Sequence, residues 1–300
     1  MTILLIGSST HNPGYLYGLA DVIRLVRVDF ARPRVTVLEF PRDLWVEIPD
    51  IESHYNITHG KLNQPYFYGN KGMGYYQGPG EGPGLLARTL DLNFGARADH
   101  YIAVNMLTFV RIVDTVGGID VYLPHNVDGR KEDQASRSDL FFGAGPHHLN
   151  GDQALMLARI RQNTVFERAD QQNRIFCAVR AALLSPQNLT KLPQIVDTFD
   201  GAVQTDLSPE QISQLACLAP KLDPRNITFA GFPPDLLKGS RIYDREEGKE
   251  VFIWDADFNM LRLYVNAFKA GVWPQSAPLL GRNSASPTNT SVDQTGFSCK

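Results

Sequence analysis

Four arginines and one glutamine occur where the sequence pattern turns their side chains toward the protein interior. Arg42 follows a predicted strand, and Arg159 and Arg161 lie two residues apart at a predicted helix end. If the backbone is extended there, both point to the same side. Arg168 and Gln172 are one helical turn apart and continue an apolar stripe. Because a guanidinium is a planar fork of donors that suits phosphate, these residues predict a phosphate or pyrophosphate clamp.

Acidic residues near these arginines offer a structural alternative to an anion site. Burying an arginine is costly unless its charge is balanced. The carboxylates nearest in the sequence are those of Asp43, Asp152, Glu167 and Asp170. Buried ion-pair networks also occur in ordinary protein cores, so the residue types alone leave both interpretations open.

Three further residues have the chemistry to complete an anion site. Lys61 and Asn63, in a Gly- and Tyr-rich connection, are predicted to add donors to the clamp. Asp21 stands at the start of a predicted strand, and one carboxylate together with substrate phosphates and water suffices for Mg²⁺. A lone aspartate in that position is more often a turn residue, and the sequence does not separate the two roles.

Several common functional classes are disfavoured by the sequence. It contains no Gly-x-Ser-x-Gly or His-Glu-x-x-His motif, and the segment 78–84 lacks the Lys-Ser/Thr of a P-loop. A net charge of −3 and the lack of interleaved basic and aromatic residues predict no nucleic-acid binding. The three cysteines follow no zinc spacing, and Cys177, on an apolar helix, is predicted to be a lone buried thiol.

Strands and helices are interleaved along the chain without strict alternation. Strands are predicted at 3–6, 22–28, 35–40, 100–104, 119–123 and 226–230, and helices at 85–92, 105–113, from 150, and near 168–184, 188–198 and 208–218. This order predicts an α/β fold with three α/β/α layers and a central mixed sheet. Residues 53–84 are predicted to be a long irregular connection.

The N-terminal segment carries no recognisable targeting signal. Met1 leads directly into an apolar strand at 3–6, with no basic region and no cleavage site. The sequence has no apolar run long enough to span a membrane by itself. We therefore expect either a cytosolic chain or one from which an upstream anchor is missing.

Nine short segments, in this order and spacing, resemble the LytR–CpsA–Psr family of cell-wall phosphotransferases. They are residues 4–8, 21–22, 40–46, 61–66, 99–105, 113–121, 149–155, 158–161 and 166–168. The resemblance covers roughly residues 3–200. It implies an α/β/α fold with a long apolar lipid pocket for a polyprenyl chain, whose mouth holds a pyrophosphate between arginines and Mg²⁺.

The resemblance also implies roles for individual residues of this chain. The positions that match pyrophosphate-binding residues are Arg42, Arg159, Arg161 and Gln172. Lys61 and Arg168 match residues near the mouth, and Asp21 matches a metal carboxylate. Asp43 follows Arg42 and is expected to orient it or to take a proton.

Three positions depart from the family pattern. Ser9 stands where an acid is usual, Gln171 where an arginine is usual, and Val165 where an acid commonly precedes Phe166. A hydroxyl can coordinate Mg²⁺ but brings no charge. Ser9 is therefore expected to be a weak second metal ligand, and Mg²⁺ is expected to bind mainly with the substrate.

The implied function is transfer of a polyprenyl-pyrophosphate-linked glycopolymer onto peptidoglycan, with a pyrophosphatase side activity. It would take place at the extracytoplasmic face of the bacterial membrane, where the lipid substrate brings the protein to the membrane surface. The alternative is a catalytically weak polyprenyl-phosphate-binding protein on the same fold. We expect a catalytic domain at 1–200, a C-terminal extension packed on it at 201–275 and a disordered tail at 276–300.

Overall fold

The computed structural model describes residues 1–11, 14–130, 138–161, 165–190, 202–274 and 297–299. Within these ranges the strands are β1 (Thr2–Ser8), β2 (Ala20–Asp29), β3 (Arg34–Glu39), β4 (Trp45–Glu47), β5 (His59–Lys61), β6 (His100–Asn105), β7 (Ile119–Leu123), β8 (Val127–Asp128), β9 (Phe141–Phe142), β10 (Gly145–Leu149), β11 (Gln204–Thr205), β12 (Ile227–Gly231), β13 (Leu237–Asp244), β14 (Lys249–Ala256) and β15 (Phe297–Ser298). The α-helices are α1 (Gln64–Tyr68), α2 (Glu81–Phe94), α3 (Met106–Thr115), α4 (Gly151–Arg159), α5 (Val165–Leu183), α6 (Pro186–Leu189), α7 (Pro209–Leu218) and α8 (Phe258–Lys269).

Seven strands of the described chain form one sheet, in the order β11-β6-β1-β2-β3-β12-β15. β1 pairs parallel with β6 and antiparallel with β2, while β3 pairs antiparallel with β2 and parallel with β12. The predicted mixed sheet is therefore confirmed. Since β11 and β12 follow residue 200, the sheet continues into the region predicted to be a C-terminal extension, and β15 lies within the region predicted to be a disordered tail.

Helices cover both faces of this sheet, which confirms the predicted α/β/α layers. On one face, Leu38 of β3 belongs to a fully buried cluster with Leu86 of α2 and Val265 of α8. On the other face, Val26 of β2 belongs to a cluster with Leu218 of α7. Successive strand residues point to opposite faces, so each strand supplies apolar side chains to both layers.

The segment 53–84, predicted to be irregular, contains β5 and α1. Pro65 lies in the first turn of α1, where a helix does not use its backbone N–H groups. Gln64 Oε1 accepts a hydrogen bond from the Lys61 backbone N–H at 2.7 Å, and Gln64 Nε2 donates to Asp244 at 3.1 Å. These side-chain bonds, one local and one to a residue 180 positions away, order a segment whose Gly-rich composition favours irregular structure.

The prediction that Cys177 is a lone thiol is wrong, because it forms a disulfide with Cys299. The bond ties α5 to β15, which pairs with β12 at the edge of the sheet. No spacing rule links two cysteines that are 122 residues apart, so the sequence pattern could not reveal the pair. Cys217 is exposed and free.

Parts of two predictions fall outside the described residues. α6 ends at Leu189, and most of the helix predicted at 188–198 lies beyond the described range. The same holds for most of the tail predicted at 276–300. None of the helices in the described ranges is both long enough and apolar enough to cross a bilayer.

Candidate functional site

A cavity of about 620 Å³ lies between the sheet and helices α3, α4 and α5. We call this side of the sheet the open face, and the side that packs against α2 and α8 the closed face. The lining residues are Leu5, Ile6, Gly7, Ser8, Asp21, Val22, Arg24, Arg42, Val104, Asn105, Met106, Phe109, Ile112, Leu155, Ala158, Arg159, Arg161, Arg168, Gln172, Ile175, Phe176 and Val179. Predicted helices 105–113 and 168–184 thus line a pocket and are not packed shut against the sheet.

Much of the cavity wall is apolar. Leu5 of β1 and Val104 of β6 reach it from the sheet, two residues apart in the register of this parallel pair. Phe109 and Ile112 of α3 line it one helical turn apart, and Phe176 of α5 lines it as well. Apolar side chains at strand and helix spacing therefore face a space here, where a packed core would have none.

Charged residues predicted from distant parts of the sequence meet at this same cavity. Those that line it, together with the predicted glutamine, are Asp21, Arg42, Arg159, Arg161, Arg168 and Gln172. The remaining candidates do not line it: these are Ser9, Asp43, Lys61 and Asn63. With Arg24 included, five guanidinium groups and one carboxylate belong to the lining residues, so its charged groups are mainly cationic.

Arg42 lies between two carboxylates. Its Nη1 donates to Asp21 Oδ1, and its Nε lies 3.5 Å from Asp43 Oδ2. Lys61 Nζ lies 3.5 Å from Asp43 Oδ1, so charges of opposite sign alternate along this group. Asn63 holds the Arg42 loop through its backbone, because its N–H donates to the Arg42 carbonyl at 3.1 Å. The carboxylate partners that the structural alternative requires are therefore present for Arg42.

The end of α4 presents Arg159 and Arg161 together. Asn150 starts this helix, as predicted, and forms a capping box with the Gln153 side chain. Ile160 ends it in an extended conformation, with φ −60° and ψ 131°, and is 5% exposed. Because side chains alternate along an extended segment, Arg159 and Arg161 both point away from the buried side that Ile160 occupies. The predicted placement of the two arginines is thus confirmed.

Arg168 is the most confined of the predicted cations. It is buried, and its Nε has no hydrogen-bond partner among the described residues. Burial lowers the pKa of its guanidinium, and repulsion from Arg42 adds to this, while Glu39, Asp21 and Asp43 oppose the shift. A buried arginine beside a second arginine gains stability from an anion that neutralises both.

The residues at the mouth provide one carboxylate for a cation. Among the described residues that line the cavity, Asp21 is the one acidic side chain, and the described chain contains no cluster of three or more His, Cys, Asp or Glu side chains able to hold a metal. Ser9 Oγ accepts the Leu19 backbone N–H at 2.9 Å and closes the turn between β1 and β2. This arrangement fits a Mg²⁺ ion bound together with an anionic ligand, since Asp21 alone supplies too little charge.

Sequence reasoning missed Arg24, which also lines the cavity. It is 2% exposed, and its Nη2 donates to Glu39 Oε2 and to Gln172 Oε1, both at 3.3 Å. Arg24 stands on β2 between Val22 and Val26, which share its face of the strand. The signal that could have identified Arg24 is a basic residue on a strand face that is otherwise apolar.

Comparison with known sequences identifies relatives. A model of the LytR_cpsA_psr family matches residues 1–257. The regulatory protein MsrR of Staphylococcus aureus (strain COL) is 26% identical over 216 residues, which are 71% of this chain and 58% of the relative. The polyisoprenyl-teichoic acid–peptidoglycan teichoic acid transferase TagU of Oceanobacillus iheyensis is 29% identical over 201 residues, which are 66% of this chain and 57% of the relative. The chain thus spans less than two thirds of the length of these curated relatives.

Solved structures share the fold. The crystal structure of Bacillus subtilis TagV has a TM-score of 0.67 at 23% identity, covering 91% of this chain and 96% of that chain. The structure described as TagT bound to LI-WTA has a TM-score of 0.65 at 17% identity, covering 91% and 90%. At these identities the likeness establishes the fold alone. Because the family model matches most of the sequence, the chain belongs to the LytR–CpsA–Psr family.

Proposed function

We propose that this protein transfers a polyprenyl-pyrophosphate-linked glycopolymer to peptidoglycan. The observation that carries the proposal is the cavity itself, which combines an apolar wall with arginines from the loop after β3, from the end of α4 and from α5. A polyprenyl pyrophosphate needs both, because its tail binds an apolar surface and its pyrophosphate binds cationic groups. Relatives named teichoic acid transferases support a glycopolymer substrate.

The two parts of the cavity would bind the two parts of the donor. Each CH₂ group taken out of water contributes ~0.8 kcal/mol, so a partly enclosed polyprenyl tail binds firmly between α3 and α5. Arg42, Arg159, Arg161 and Arg168 would hold the pyrophosphate, with Gln172 beside them. Lys61 and Asn63 stand behind Arg42, where they fix the loop that carries it.

In the proposed reaction, a sugar hydroxyl of peptidoglycan attacks the phosphorus on the sugar side of the pyrophosphate. A new O–P bond forms while the bond from that phosphorus to the bridging oxygen breaks, and polyprenyl phosphate leaves with this oxygen. Asp43, 3.5 Å from Arg42 Nε, would orient that arginine or take the hydroxyl proton. Arginines aimed at the bridging and leaving oxygens stabilise the charge that develops there.

Asp21 would hold Mg²⁺ at the mouth, with Ser9 as a weak candidate ligand. The ion would supply positive charge against the pyrophosphate oxygens. Asp21 is paired with Arg42, so binding the ion requires that this pair loosen as the substrate arrives. On this proposal Ser9→Asp raises Mg²⁺ affinity in the ligand-free protein, as calorimetry would measure. Full transfer activity of Asp21→Ala in chelator would show that the arginines act without metal.

We further propose an extracytoplasmic location, at the membrane surface that presents the lipid donor. The Cys177–Cys299 disulfide supports it, since disulfides persist in oxidising compartments and are rare in the cytosol.

The proposal is tested with a C20 polyprenyl-pyrophosphate disaccharide as donor and a peptidoglycan oligosaccharide as acceptor. Mass spectrometry should detect the phosphodiester-linked product and released polyprenyl phosphate. Arg42→Met should lose about 100-fold or more, because one such donor is worth ~3–4 kcal/mol in the transition state. Arg27→Met is the control, since Arg27 is on β2 but does not line the cavity. Donor binding without transfer would favour the binding-protein alternative, and no binding would refute both.

A further inference from the structure

Three polar side chains and one carbonyl form a continuous, partly buried line of hydrogen bonds next to the arginines of the cavity. Glu39 Oε2 accepts from Arg24 Nη2 at 3.3 Å, and the same nitrogen donates to Gln172 Oε1 at 3.3 Å. Gln172 Nε2 donates in turn to the Ala158 backbone oxygen at 3.1 Å. We call Glu39, Arg24, Gln172 and the Ala158 carbonyl the polar line. It joins β3, β2, α5 and α4 through side chains.

The polar line connects the elements that carry the charged residues of the cavity. Each member is within four residues of one of them: Glu39 precedes Arg42, Arg24 follows Asp21, Gln172 follows Arg168 and Ala158 precedes Arg159. The pairs in β2, α4 and α5 each lie within one regular element, which is stiff over so few residues, while Arg42 follows the end of β3 by three residues. A shift at any link therefore changes the spacing of the charges at the mouth.

We propose that Arg24 and Glu39 are positioning residues, which set the spacing of the arginines by holding Gln172 against the end of α4. The inference rests on the proposed function, because the arginines are taken to bind a polyprenyl pyrophosphate. Arg24 acts through Gln172, since its Nη2 is committed to Glu39 and Gln172.

Stability alone does not account for this ion pair. Arg24 is 2% exposed, the Glu39 side chain is 22% exposed, and Arg24 Nε has no hydrogen-bond partner within the part of the chain that the structure describes. A buried pair of this kind often adds nothing over apolar residues of similar volume, because both charges lose their hydration. What the pair does here is fix the Gln172 side chain. Arg24 donates to the Gln172 side-chain oxygen, and the Gln172 amide nitrogen then points to the Ala158 carbonyl.

The residue next to Gln172 holds the same helix end. With its amide nitrogen oriented to these acceptors, Gln171 donates to the Leu157 carbonyl at 2.9 Å and to the Ile160 carbonyl at 3.3 Å. The last carbonyls of a helix lack partners within the helix. Two adjacent glutamines of α5 therefore bind the end of α4 from which Arg159 and Arg161 project. This gives Gln171 a positioning role at the site where the family usually has an arginine.

The test separates positioning from stability with paired substitutions. Arg24→Met and Glu39→Leu each leave one buried charge unbalanced and should lower the melting temperature. The double variant removes both charges and should melt near the wild type. Its dissociation constant for geranylgeranyl diphosphate, measured well below every melting temperature, should still rise about tenfold. Arg27→Met, a control on the opposite face of the same strand, should bind as the wild type does.

Two further comparisons identify the route of the effect. Affinity for geranylgeranyl monophosphate should fall less than affinity for the diphosphate, because spacing matters for two phosphates more than for one. Adding Gln172→Leu to the double variant should cost no more than Gln172→Leu alone, because a shared route makes effects non-additive. If the affinity loss of the triple variant equals the product of the losses in the double variant and in Gln172→Leu, Arg24 and Glu39 do not act through Gln172.

The outcomes also separate this inference from the proposed function. If the double variant binds both lipids as the wild type does, the polar line is only structural, and the proposed function is untouched. If the wild-type protein binds neither lipid, the proposed function fails and the positioning role fails with it.

Discussion

The two faces of the central sheet are built from the same strands, but one is tightly packed and the other borders a cavity. On the closed face Leu4, Leu25 and Leu38 are fully buried against α2 and α8. On the open face Leu5 and Val104 of neighbouring strands border a cavity. The strands present apolar side chains to both faces, so the helices that cover each face decide whether it is packed or encloses a cavity. α5 carries Arg168 and Gln172 in its inward stripe, and closing it onto the sheet would bury charge without compensation.

The largest difference should appear when one phenylalanine is removed from each face. Phe40 packs on the closed face with ring centroids 5.2 Å from Phe94 and 5.4 Å from Phe232. Phe40→Ala should lower the free energy of unfolding by ~3–5 kcal/mol in urea titrations, because it leaves a void in a tight core. Phe109→Ala, on the cavity wall, should cost less than ~1 kcal/mol, because a Phe109 ring beside open space loses fewer contacts. Equal losses would mean that the open face is packed as tightly as the closed one.

Next in size is the effect of the disulfide that pins α5, the outer wall of the cavity. Cys299→Ser should lower unfolding free energy by ~2–4 kcal/mol, because the bond restricts a long loop in the unfolded chain. The same variant should loosen α5, so hydrogen exchange there should rise more than in α2 on the closed face. Cys217→Ser is the control and should change neither quantity, since Cys217 is exposed and free.

A smaller effect is expected from the helix cap next to the cavity. Asn150 accepts the Gln153 backbone N–H at 2.9 Å, and Asn150→Ala should cost ~1 kcal/mol in thermal or urea unfolding. It should also weaken geranylgeranyl diphosphate binding, because α4 carries Arg159. Ser208→Ala removes an equivalent capping box from α7. That control should lose similar stability and no affinity, and a parallel loss of affinity would show that general destabilisation explains both.

Sequence patterns predicted the features that depend on local periodicity. β1, β2 and β3 follow apolar runs, α4 begins at the predicted position, and Arg159 and Arg161 line one cavity as the extended segment between them predicts. Each of these features depends only on residues that are close in the sequence, within one helical turn or one strand.

The features that the sequence did not reveal depend on contacts between distant segments. Glu39 meets Arg24 across a strand pair, and Gln172 reaches Arg24 over 148 residues. Cys177 and Cys299 are 122 residues apart. A buried arginine on a strand indicates that a partner exists, but only the three-dimensional register shows which one.

The most direct measurement of the central claim is a crystal structure of this protein with geranylgeranyl diphosphate. The account predicts density for the tail along the apolar wall of the open face, between α3 and α5. The diphosphate should lie within hydrogen-bond distance of Arg42 and of at least one of Arg159 and Arg161. A tail bound elsewhere, or a diphosphate turned away from these arginines into solvent, would contradict the claim that this cavity binds a polyprenyl pyrophosphate.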